Sequence, residues 1–348
     1  MAKIVLTNIN KSYDQKTVLD NINMVIDEGK LTVLLGPSGS GKTTLLHGIA
    51  GLVSFDQGDI TFNDKLMNQV AIDKRNAVLV DQNLLLFPHL NVEDNIAFGL
   101  KMRKMNKTLI SEKVSMLIRL LELTGHEKKY HHELSGGQMQ RVAIARALAI
   151  GVEVLLLDEP FSKLDIVLRK NMQDFVRSLQ QKLKITILMV THDQEEALSM
   201  ADKVALLING KIMQYDAPHT IYERPTSKEV ADFFGERNYI QASIIEGKIH
   251  CHLGIFNITL NNQENITFMF RPEEIGLEHQ GENNVEGVIL KRVYSGDKIL
   301  YSVQVNESIM TVSSFQNKDY QVSDHVSLKL CFNKAVYFTN PKVGGTSC

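Results

Sequence analysis

A glycine-rich segment between an apolar run and a helical pattern constrains this chain more than any other feature. The segment is Gly36-Pro37-Ser38-Gly39-Ser40-Gly41-Lys42-Thr43, which fits the pattern G-x-x-x-x-G-K-[ST]. The apolar run Leu31–Leu35 precedes it, and a helical pattern follows from Lys42 to about Ala50. The sequence therefore predicts a strand, a tight loop and a helix, in the order that a phosphate-binding loop requires.

This loop has the chemistry of a nucleotide-phosphate site. Glycines let backbone N–H groups face the phosphates, and the N-terminus of the following helix adds positive potential. Lys42 is expected to reach the β- and γ-phosphates, and the Thr43 hydroxyl is a candidate Mg²⁺ ligand. A glycine-rich turn before a buried helix is the simpler alternative, which the matched context disfavours. The predicted nucleotide contacts here are Gly36, Pro37, Ser38, Gly39, Ser40, Gly41, Lys42, Thr43 and Thr44.

Two adjacent carboxylates end a second apolar run. Residues 154–157 are Val-Leu-Leu-Leu, and Asp158 and Glu159 follow. Ligands bind at the carboxyl ends of strands in parallel sheets, so both side chains are placed for catalysis. We expect Asp158 to help hold Mg²⁺ and Glu159 to polarise the attacking water. A strand that simply ends in a polar loop is the alternative, and a nearby phosphate loop makes it the weaker one.

The segment Leu134-Ser135-Gly136-Gly137-Gln138 opens a helical pattern that continues through MQRVAIARALAI. Ser135 and Gln138 have the spacing of a capping box, so a well-capped helix is the simplest interpretation. That interpretation does not explain two adjacent glycines in the first turn, since each costs helix stability. Bare backbone there suits a close approach to a γ-phosphate, with the helix dipole directed at it.

With these three motifs in order, residues 3–235 resemble the ABC ATPases. The resemblance implies ATP and Mg²⁺ as cofactors and roles for four more residues. Tyr13 resembles the aromatic residue that stacks on adenine, although an aromatic residue at a sheet edge is the alternative. Gln82 resembles the glutamine that senses Mg²⁺ and the membrane partner, and Asp165 resembles the aspartate of the D-loop. His192 resembles the histidine that contacts the γ-phosphate, so Glu159 and His192 form the expected catalytic pair.

In this family the signature segment works in trans, closing on nucleotide held by the phosphate loop of another subunit. One chain carries one set of motifs, so the resemblance implies a second copy of this chain and an isologous two-fold dimer. The residues then expected to contact the partner chain's nucleotide are Ser135, Gly136, Gly137, Gln138 and Asp165. The residues expected to hold Mg²⁺, directly or through water, are Thr43, Gln82 and Asp158.

The order of the patterns predicts an α/β domain followed by a small all-β domain. Helical periodicity dominates from about 84 to 150, and strands and helices then alternate, which favours a parallel sheet covered by helices. Composition shifts near Phe234-Gly235, and short β-type runs follow, typical of an OB-type barrel. The motif FRPEEI, Phe270 to Ile275, resembles the TOBE domain of importer ATPases. The predicted domains are 1–235, ATP-binding with a helical subdomain, and 236–348, TOBE-like.

Composition and family resemblance together favour the ATPase subunit of a binding-protein-dependent importer. The net charge of −2 gives no basic field for nucleic acid, and no apolar run is long enough to cross a bilayer. The three cysteines show no framework spacing, which favours a reducing compartment. The implied partners are two membrane permease subunits and an extracytoplasmic solute-binding protein, at the cytoplasmic face of the membrane. Ferric iron or polyamine is the favoured cargo; another solute, or a soluble ABC ATPase acting on nucleic acid or ribosomes, is the alternative.

Overall fold

The computed structural model describes residues 1–278, 285–315 and 320–339. The chain divides into two compact units, Met1–Ile221 and Tyr222–Cys348. This division of the chain lies before the composition shift near residue 235. The domain boundary that composition predicts at residue 235 stays a prediction. Among the described residues, no helix combines the length and the apolar character needed to span a membrane.

The strands of the first unit form two sheets. One is antiparallel with the order β2-β1-β4-β5, and the other has the order β10-β9-β3-β8-β7-β6, in which only the β9–β10 pair is antiparallel. This arrangement confirms the predicted parallel sheet. The strands are β1 Ile4–Tyr13, β2 Lys16–Ile26, β3 Leu31–Leu35, β4 Gln57–Phe62, β5 Lys65–Leu66, β6 Ala77–Val80, β7 Val154–Asp158, β8 Thr186–Thr191, β9 Lys203–Ile208 and β10 Lys211–Asp216.

The helices before residue 202 lie where the 3.6-residue periodicity predicts them, and the two short helices after it were not predicted. Three of the helices, α2 to α4, fall within the segment 84–150 that was predicted to be mostly helical. The helices are α1 Lys42–Ala50, α2 Val92–Met102, α3 Lys107–Leu120, α4 Gly136–Ala149, α5 Ile166–Leu183, α6 Gln194–Met200, α7 Pro218–Glu223 and α8 Lys228–Phe233. Short 3₁₀ turns occupy Ile72–Lys74, His131–Glu133, Pro272–Glu274 and Phe332–Lys334.

The parallel register brings the ends of three strands to one edge of the sheet. Leu35, the last residue of β3, pairs with Thr191 at the end of β8, and Asp158 at the end of β7 pairs with Val190. All residues of β3, β7 and β8 are buried. Because their last residues are paired in register, the three strands end at the same edge of the sheet. The residues that follow these strands are Gly36, Glu159 and His192.

In the second unit, the described residues from Asn238 onward form strands and short 3₁₀ turns, which confirms the all-β prediction for this part of the chain. Its two five-stranded sheets have the orders β13-β12-β11-β14-β20 and β15-β19-β16-β17-β18, and apolar side chains from both form one core. The largest buried side chains there include Tyr301 and Phe268. The strands are β11 Asn238–Ile245, β12 Lys248–Cys251, β13 Gly254–Asn257, β14 Gln263–Phe270, β15 Gly276–Glu278, β16 Val285–Ser295, β17 Lys298–Val305, β18 Ser308–Ser314, β19 His325–Lys329 and β20 Val336–Thr339.

Arg271, in the FRPEEI motif, connects β14 to the segment that precedes the β-sheets. Its guanidinium donates to the carbonyl oxygens of Tyr222 and Glu223 at 2.8 and 2.9 Å. Its backbone N–H donates to Glu274, whose carboxylate also accepts from the guanidinium. The side chain is only 6% exposed, and the ion pair with Glu274 offsets the cost of burying the charge. The motif therefore has a structural function within the second unit.

Arg75 caps the C-terminal end of α1, the helix that begins with Lys42. Its guanidinium donates to the carbonyl oxygens of Gly48 and Ile49, in the last turn of α1, and to that of Val70. The last carbonyl groups of a helix have no partner within the helix, so a buried cation there satisfies them and complements the helix dipole. Arg75 is 5% exposed, and its hydrogen bonds therefore lie in the interior.

We expect Arg75→Met to lower the free energy of unfolding by about 2–4 kcal/mol, because it leaves buried carbonyl groups without donors. Urea unfolding of the full chain, followed by far-UV circular dichroism, measures the change. Lys74→Met is the matched control, since Lys74 is exposed in the same turn and should change stability by less than about 0.5 kcal/mol. Equal stability of the two variants would contradict the capping role of Arg75.

Candidate nucleotide site

The phosphate loop adopts a conformation that only glycine allows at its tightest points. Gly39 and Gly41 have φ values of 79° and 104°, in the left-handed region that disfavours side chains. A Cβ on Gly36 would lie 2.1 Å from the carbonyl oxygen of Leu207 in β9, so this position tolerates no side chain. Gly41 immediately precedes α1, whose first N–H groups have no acceptor within the helix. The loop thus presents backbone donors in the way the sequence predicted.

Lys42 is buried and bonded within its own loop. Its Nζ donates to the carbonyl oxygens of Gly36 and Pro37 at 2.9 and 2.8 Å, and the residue is 6% exposed. Burial lowers the pKa of Lys42, while the charges of Glu159 and Asp158 partly counter this effect. Both hydrogen bonds go to neutral carbonyl groups, so an anionic phosphate would be a stronger partner for this ammonium group.

Asp158 and Thr43 lie together at the end of β7 and the start of α1. The Thr43 hydroxyl is 3.4 Å from Oδ1 of Asp158, a weak hydrogen bond at most. Burial raises the pKa of Asp158, because water solvates its charge poorly. A hydroxyl and a buried carboxylate are hard oxygen donors of the kind that Mg²⁺ prefers. These two residues therefore fit a magnesium ion, which would compensate the buried negative charge.

Glu159 and His192 form the hydrogen-bonded pair of the site. Oε1 of Glu159 is 3.0 Å from Nδ1 of His192. Glu159 has a φ of 42°, unusual for a residue with a side chain and typical of strained functional positions. Its backbone N–H donates to the carbonyl oxygen of Val190 in β8, which fixes this turn. The two side chains that were predicted to be catalytic thus contact each other at the edge of the sheet.

The turn that carries His192 is fixed on both sides. The Thr191 hydroxyl donates to the buried Glu196 at 2.6 Å and accepts from the backbone N–H of Asp193. The Asp193 carboxylate in turn caps α6 by accepting from the backbone N–H groups of Glu195 and Glu196. The imidazole of His192 extends from this rigid turn and is largely exposed. The rigid turn therefore fixes the position of the His192 ring, and the ring remains open to solvent.

Gln82 is connected to Glu159 through a residue that sequence reasoning missed. Nε2 of Gln82 donates to the Ser162 hydroxyl at 3.1 Å, and that hydroxyl donates to the backbone carbonyl oxygen of Glu159 at 2.9 Å. A second contact links the same two loops, because Lys163 donates to the side-chain oxygen of Asn83. The donors and acceptors lie 80 positions apart, so no local sequence signal reveals this connection.

The signature segment confirms the predicted capping box. The Ser135 hydroxyl accepts from the Gln138 backbone N–H at 3.3 Å, and Oε1 of Gln138 accepts from the Ser135 N–H at 3.0 Å. The structure also explains one of the two glycines. A Cβ on Gly137 would lie 2.8 Å from Cδ1 of Leu168 in α5, so packing within the chain disfavours a side chain there. A Cβ on Gly136 would meet only the end of the Leu164 side chain, at 3.0 Å.

Asp165 and Tyr13 lie at the surface. Asp165 is the N-cap of α5, and its Oδ1 accepts from the Leu168 backbone N–H at 2.9 Å. Tyr13 ends β1 and is 45% exposed, with the Lys11 ammonium 5.1 Å from the ring centre. Their predicted contacts, with partner-chain nucleotide and with adenine, therefore stay predictions. The exposure of the Tyr13 ring is compatible with stacking.

The site thus has two parts within one chain. The phosphate loop, Asp158, Glu159, His192 and Gln82 gather at the carboxyl ends of the parallel strands. No hydrogen bond or ion pair among the described residues joins the segment Ser135–Gln138 to the phosphate loop. A single chain therefore presents a phosphate site and, separately, the start of a glycine-rich helix.

Comparison with known proteins agrees with this geometry. A family model described as ABC transporter matches residues 19–162, and one described as TOBE domain matches residues 268–338. The chain is 42% identical, over 334 residues, to the spermidine/putrescine import ATP-binding protein PotA of Desulfitobacterium hafniense (strain Y51), covering 95% of both chains.

Two solved structures resemble the first unit. The ATP-binding cassette MJ0796, in a dimeric post-hydrolysis state bound to ADP and Pi, matches with a TM-score of 0.55 and 28% identity, covering 62% of this chain and 98% of that one. The protein cbiO1 of Clostridium perfringens, part of the ABC transporter complex cbiONQ, matches with a TM-score of 0.59 and 29% identity, covering 63% and 89%. The chain therefore belongs to the ABC transporter ATP-binding proteins that carry a TOBE domain, and it is the ATP-hydrolysing subunit of an importer.

Proposed function

We propose that two copies of this chain hydrolyse Mg²⁺-ATP at shared sites and so drive import of a polyamine. The observation that carries the proposal is the Glu159–His192 pair at 3.0 Å, at the same sheet edge as the phosphate loop. A carboxylate hydrogen-bonded to an imidazole beside a phosphate site has the chemistry to orient and polarise a water molecule. Among the described residues, no hydrogen bond or ion pair joins the segment Ser135–Gln138 to the phosphate loop of the same chain, which is compatible with a second copy as partner.

In this proposal each residue has a distinct task. Lys42 exchanges its two carbonyl acceptors for phosphate oxygens, and the first backbone N–H groups of α1 bind the same anion. Thr43, Asp158 and the amide oxygen of Gln82 hold the magnesium ion, which neutralises phosphate charge. Glu159 polarises the attacking water, and His192 holds the Glu159 carboxylate and contacts the γ-phosphate. Catalysis then depends mainly on positioning and charge stabilisation.

The partner chain completes the site with its own signature helix. Ser135 and Gly136 approach the γ-phosphate from the first turn of α4, where the dipole favours an anion. Asp165 is expected near the same interface, and Tyr13 is expected to stack on adenine. These contacts exist only in the closed dimer, so ATP binding shifts the pair toward closure. Hydrolysis removes the γ-phosphate contacts and reopens it.

The other proposed partners are two permease subunits and an extracytoplasmic solute-binding protein. The loops of Gln82 and Ser162, which are bonded to each other, would relay nucleotide binding to the permeases at the cytoplasmic face of the membrane. Similarity to an import protein named for spermidine and putrescine supports a polyamine as cargo. Ferric iron is the other cargo we consider. Uptake of labelled spermidine by the complete transporter tests the choice: the proposal predicts uptake that Glu159→Gln abolishes, and a transporter that takes up no spermidine would contradict a polyamine cargo.

We expect Glu159→Gln to bind ATP but to lose at least about a hundredfold in kcat, because an amide does not act as a base. The amide oxygen still accepts a hydrogen bond from His192, so the turn should keep its structure. Steady-state ATP hydrolysis and sizing chromatography with ATP and Mg²⁺ measure the two effects. ATP that is bound but not hydrolysed should stabilise the dimer by mass action.

Glu195→Gln is the matched control for this variant. It removes one carboxylate from the exposed first turn of α6, close in sequence to His192, and should keep the normal rate. A normal rate of hydrolysis by Glu159→Gln would contradict the catalytic role of Glu159. A variant that binds ATP but stays monomeric would contradict the proposed shared site.

Mixing two inactive variants tests whether the site is shared. Lys42→Ala removes the phosphate-binding ammonium, and Gly136→Asp places a carboxylate against the partner's γ-phosphate, where like charges repel in a dry interface. Each homodimer should be nearly inactive. A mixed dimer has one site with an intact phosphate loop and an intact signature helix, so ATP hydrolysis should recover in part.

Gly136→Ala separates the added charge from the added atom. The new Cβ meets only the end of Leu164, so this control should lose far less activity than Gly136→Asp. Radiolabelled ATP binding should be intact in Gly136→Asp and weakened in Lys42→Ala. If Gly136→Asp abolishes binding to its own phosphate loop, the signature acts in cis and the proposed dimer mechanism is wrong.

A further inference from the structure

The Gln138 side chain, in the first turn of α4, makes hydrogen bonds on two sides. Its Oε1 lies 3.0 Å from the backbone nitrogen of Ser135, and its Nε2 lies 2.9 Å from Nε2 of His126. A backbone N–H can only donate, so the Gln138 atom that faces Ser135 has to be the amide oxygen. The amide NH₂ group therefore faces His126 and donates to it.

This geometry determines where the His126 ring carries its proton. Nε2 accepts from Gln138, and a neutral imidazole has one donor and one acceptor nitrogen, so the proton lies on Nδ1. Nδ1 is buried and has no hydrogen-bond partner within the part of the chain that the structure describes. A second proton, on Nε2, would place an N–H group against an NH₂ group and abolish the hydrogen bond.

The loop that carries His126 is anchored independently of Gln138. The carbonyl oxygens of Glu127 and Lys129 accept from the backbone N–H groups of Glu93 and Val92, in the first turn of α2, at 3.0 and 2.9 Å. These contacts satisfy donors that α2 itself leaves without acceptors. The imidazole is therefore held in position by the loop and provides a preformed acceptor for the signature helix.

The charged groups around this loop are mostly paired with one another. Lys128 bonds to Glu93 of α2 at 2.6 Å, and Arg141 of α4 bonds to Glu122 after the end of α3. Glu127 is the carboxylate that interacts with His126 electrostatically. Its pKa lies below the usual value, chiefly because backbone N–H groups donate to it, with a smaller contribution from His126. Glu127 thus favours a positively charged ring, whereas the hydrogen bond to Gln138 requires a neutral one.

We infer that His126 is a positioning residue of the signature helix: its neutral ring orients the Gln138 amide, which completes the capping box that presents Ser135 and Gly136 to the partner chain. The inference rests on the proposed function, because it is the partner's ATP that meets this helix start. Loss of the acceptor at Nε2 of His126 releases Gln138 and loosens the first turn of α4. Turnover should then fall, while ATP binding to the phosphate loop, which His126 does not contact, stays normal.

The test compares three full-length variants with the unaltered chain at about pH 8, at which a free imidazole is neutral. His126→Gln keeps an acceptor oxygen at the reach of Nε2. His126→Phe keeps a ring but has no acceptor. His132→Gln is the matched control, since His132 is an exposed histidine in the same connection. The kcat and KM for ATP are measured for each variant and for the unaltered chain.

At about pH 8 we expect His126→Phe to lose about two- to tenfold in kcat, the value of one hydrogen bond, with KM unchanged. His126→Gln should keep the rate, because its amide oxygen accepts from Gln138 in place of Nε2. His132→Gln should follow the unaltered chain. The inference is wrong if His126→Phe keeps full kcat, or if His126→Gln loses as much kcat as His126→Phe. An unaltered chain without any ATP hydrolysis would instead refute the proposed function.

A direct measurement applies even if a variant folds poorly. Nitrogen-15 chemical shifts of the imidazole report the tautomer in the unaltered full chain, and the His126 signals are assigned by their absence in His126→Gln. We expect the Nδ1–H tautomer at about pH 8, above the range in which imidazole is charged. A predominant Nε2–H tautomer would overturn the inference, because that nitrogen could not accept from Gln138.

Discussion

Burial of opposite charges at one edge of a parallel sheet is the constraint on which the rest of this structure depends. Lys42 and Asp158 are both nearly inaccessible, and burial moves the pKa of each toward its neutral form. Neither charge has an ionic partner of its own among the described residues, and Lys42 is satisfied only by carbonyl groups. A phosphate and a divalent cation would relieve both costs together, because each would bring the opposite charge to one of the buried groups.

The elements around this edge serve to hold the charges in place. The in-register ends of β3, β7 and β8 fix the height of the loops, and Arg75 secures α1 from its far end. Two hydrogen bonds of the Ser162 hydroxyl connect the Gln82 side chain to the backbone of Glu159. The signature helix is built separately, with its own capping box and its own supporting loop. A signature helix that is stabilised independently of the phosphate loop is expected if a second chain completes the site.

Local signals in the sequence predicted the strand and the helix on either side of the phosphate loop. The predicted strand Leu31–Leu35 and the predicted helix from Lys42 to Ala50 agree with β3 and α1. The capping box of Ser135 and Gln138 was also predicted, because capping depends on residues three positions apart. Such patterns are visible because the physical cause lies within a few residues. The short β-type runs predicted after Gly235 did not reveal one turn: β12 and β13 form a hairpin, with Gly254 at a φ of 129°.

Contacts between distant positions were not predictable. Ser162 and His126 were not singled out, because a serine after a strand and a histidine in a polar loop are compatible with many environments. Their roles depend on which side chains the fold brings together, at 3.1 and 2.9 Å over separations of 80 and 12 residues. The adenine contact of Tyr13 and the interface contact of Asp165 require groups outside a single chain. Those two roles therefore rest on family resemblance.

The central claim is that the phosphate loop of one chain meets the signature helix of another. Ser38 and Ser135 are both exposed, so each can be replaced by cysteine in separate chains from which Cys251, Cys331 and Cys348, the last outside the described residues, have been removed. The two chains are mixed in a Glu159→Gln background and oxidised with and without ATP and Mg²⁺. Exposed Ser178 replaced by cysteine, in place of Ser38, is the control. The account predicts a disulfide between the Ser38→Cys and Ser135→Cys chains that depends on ATP and is absent with the control; its absence under conditions in which ATP is bound would contradict the shared site.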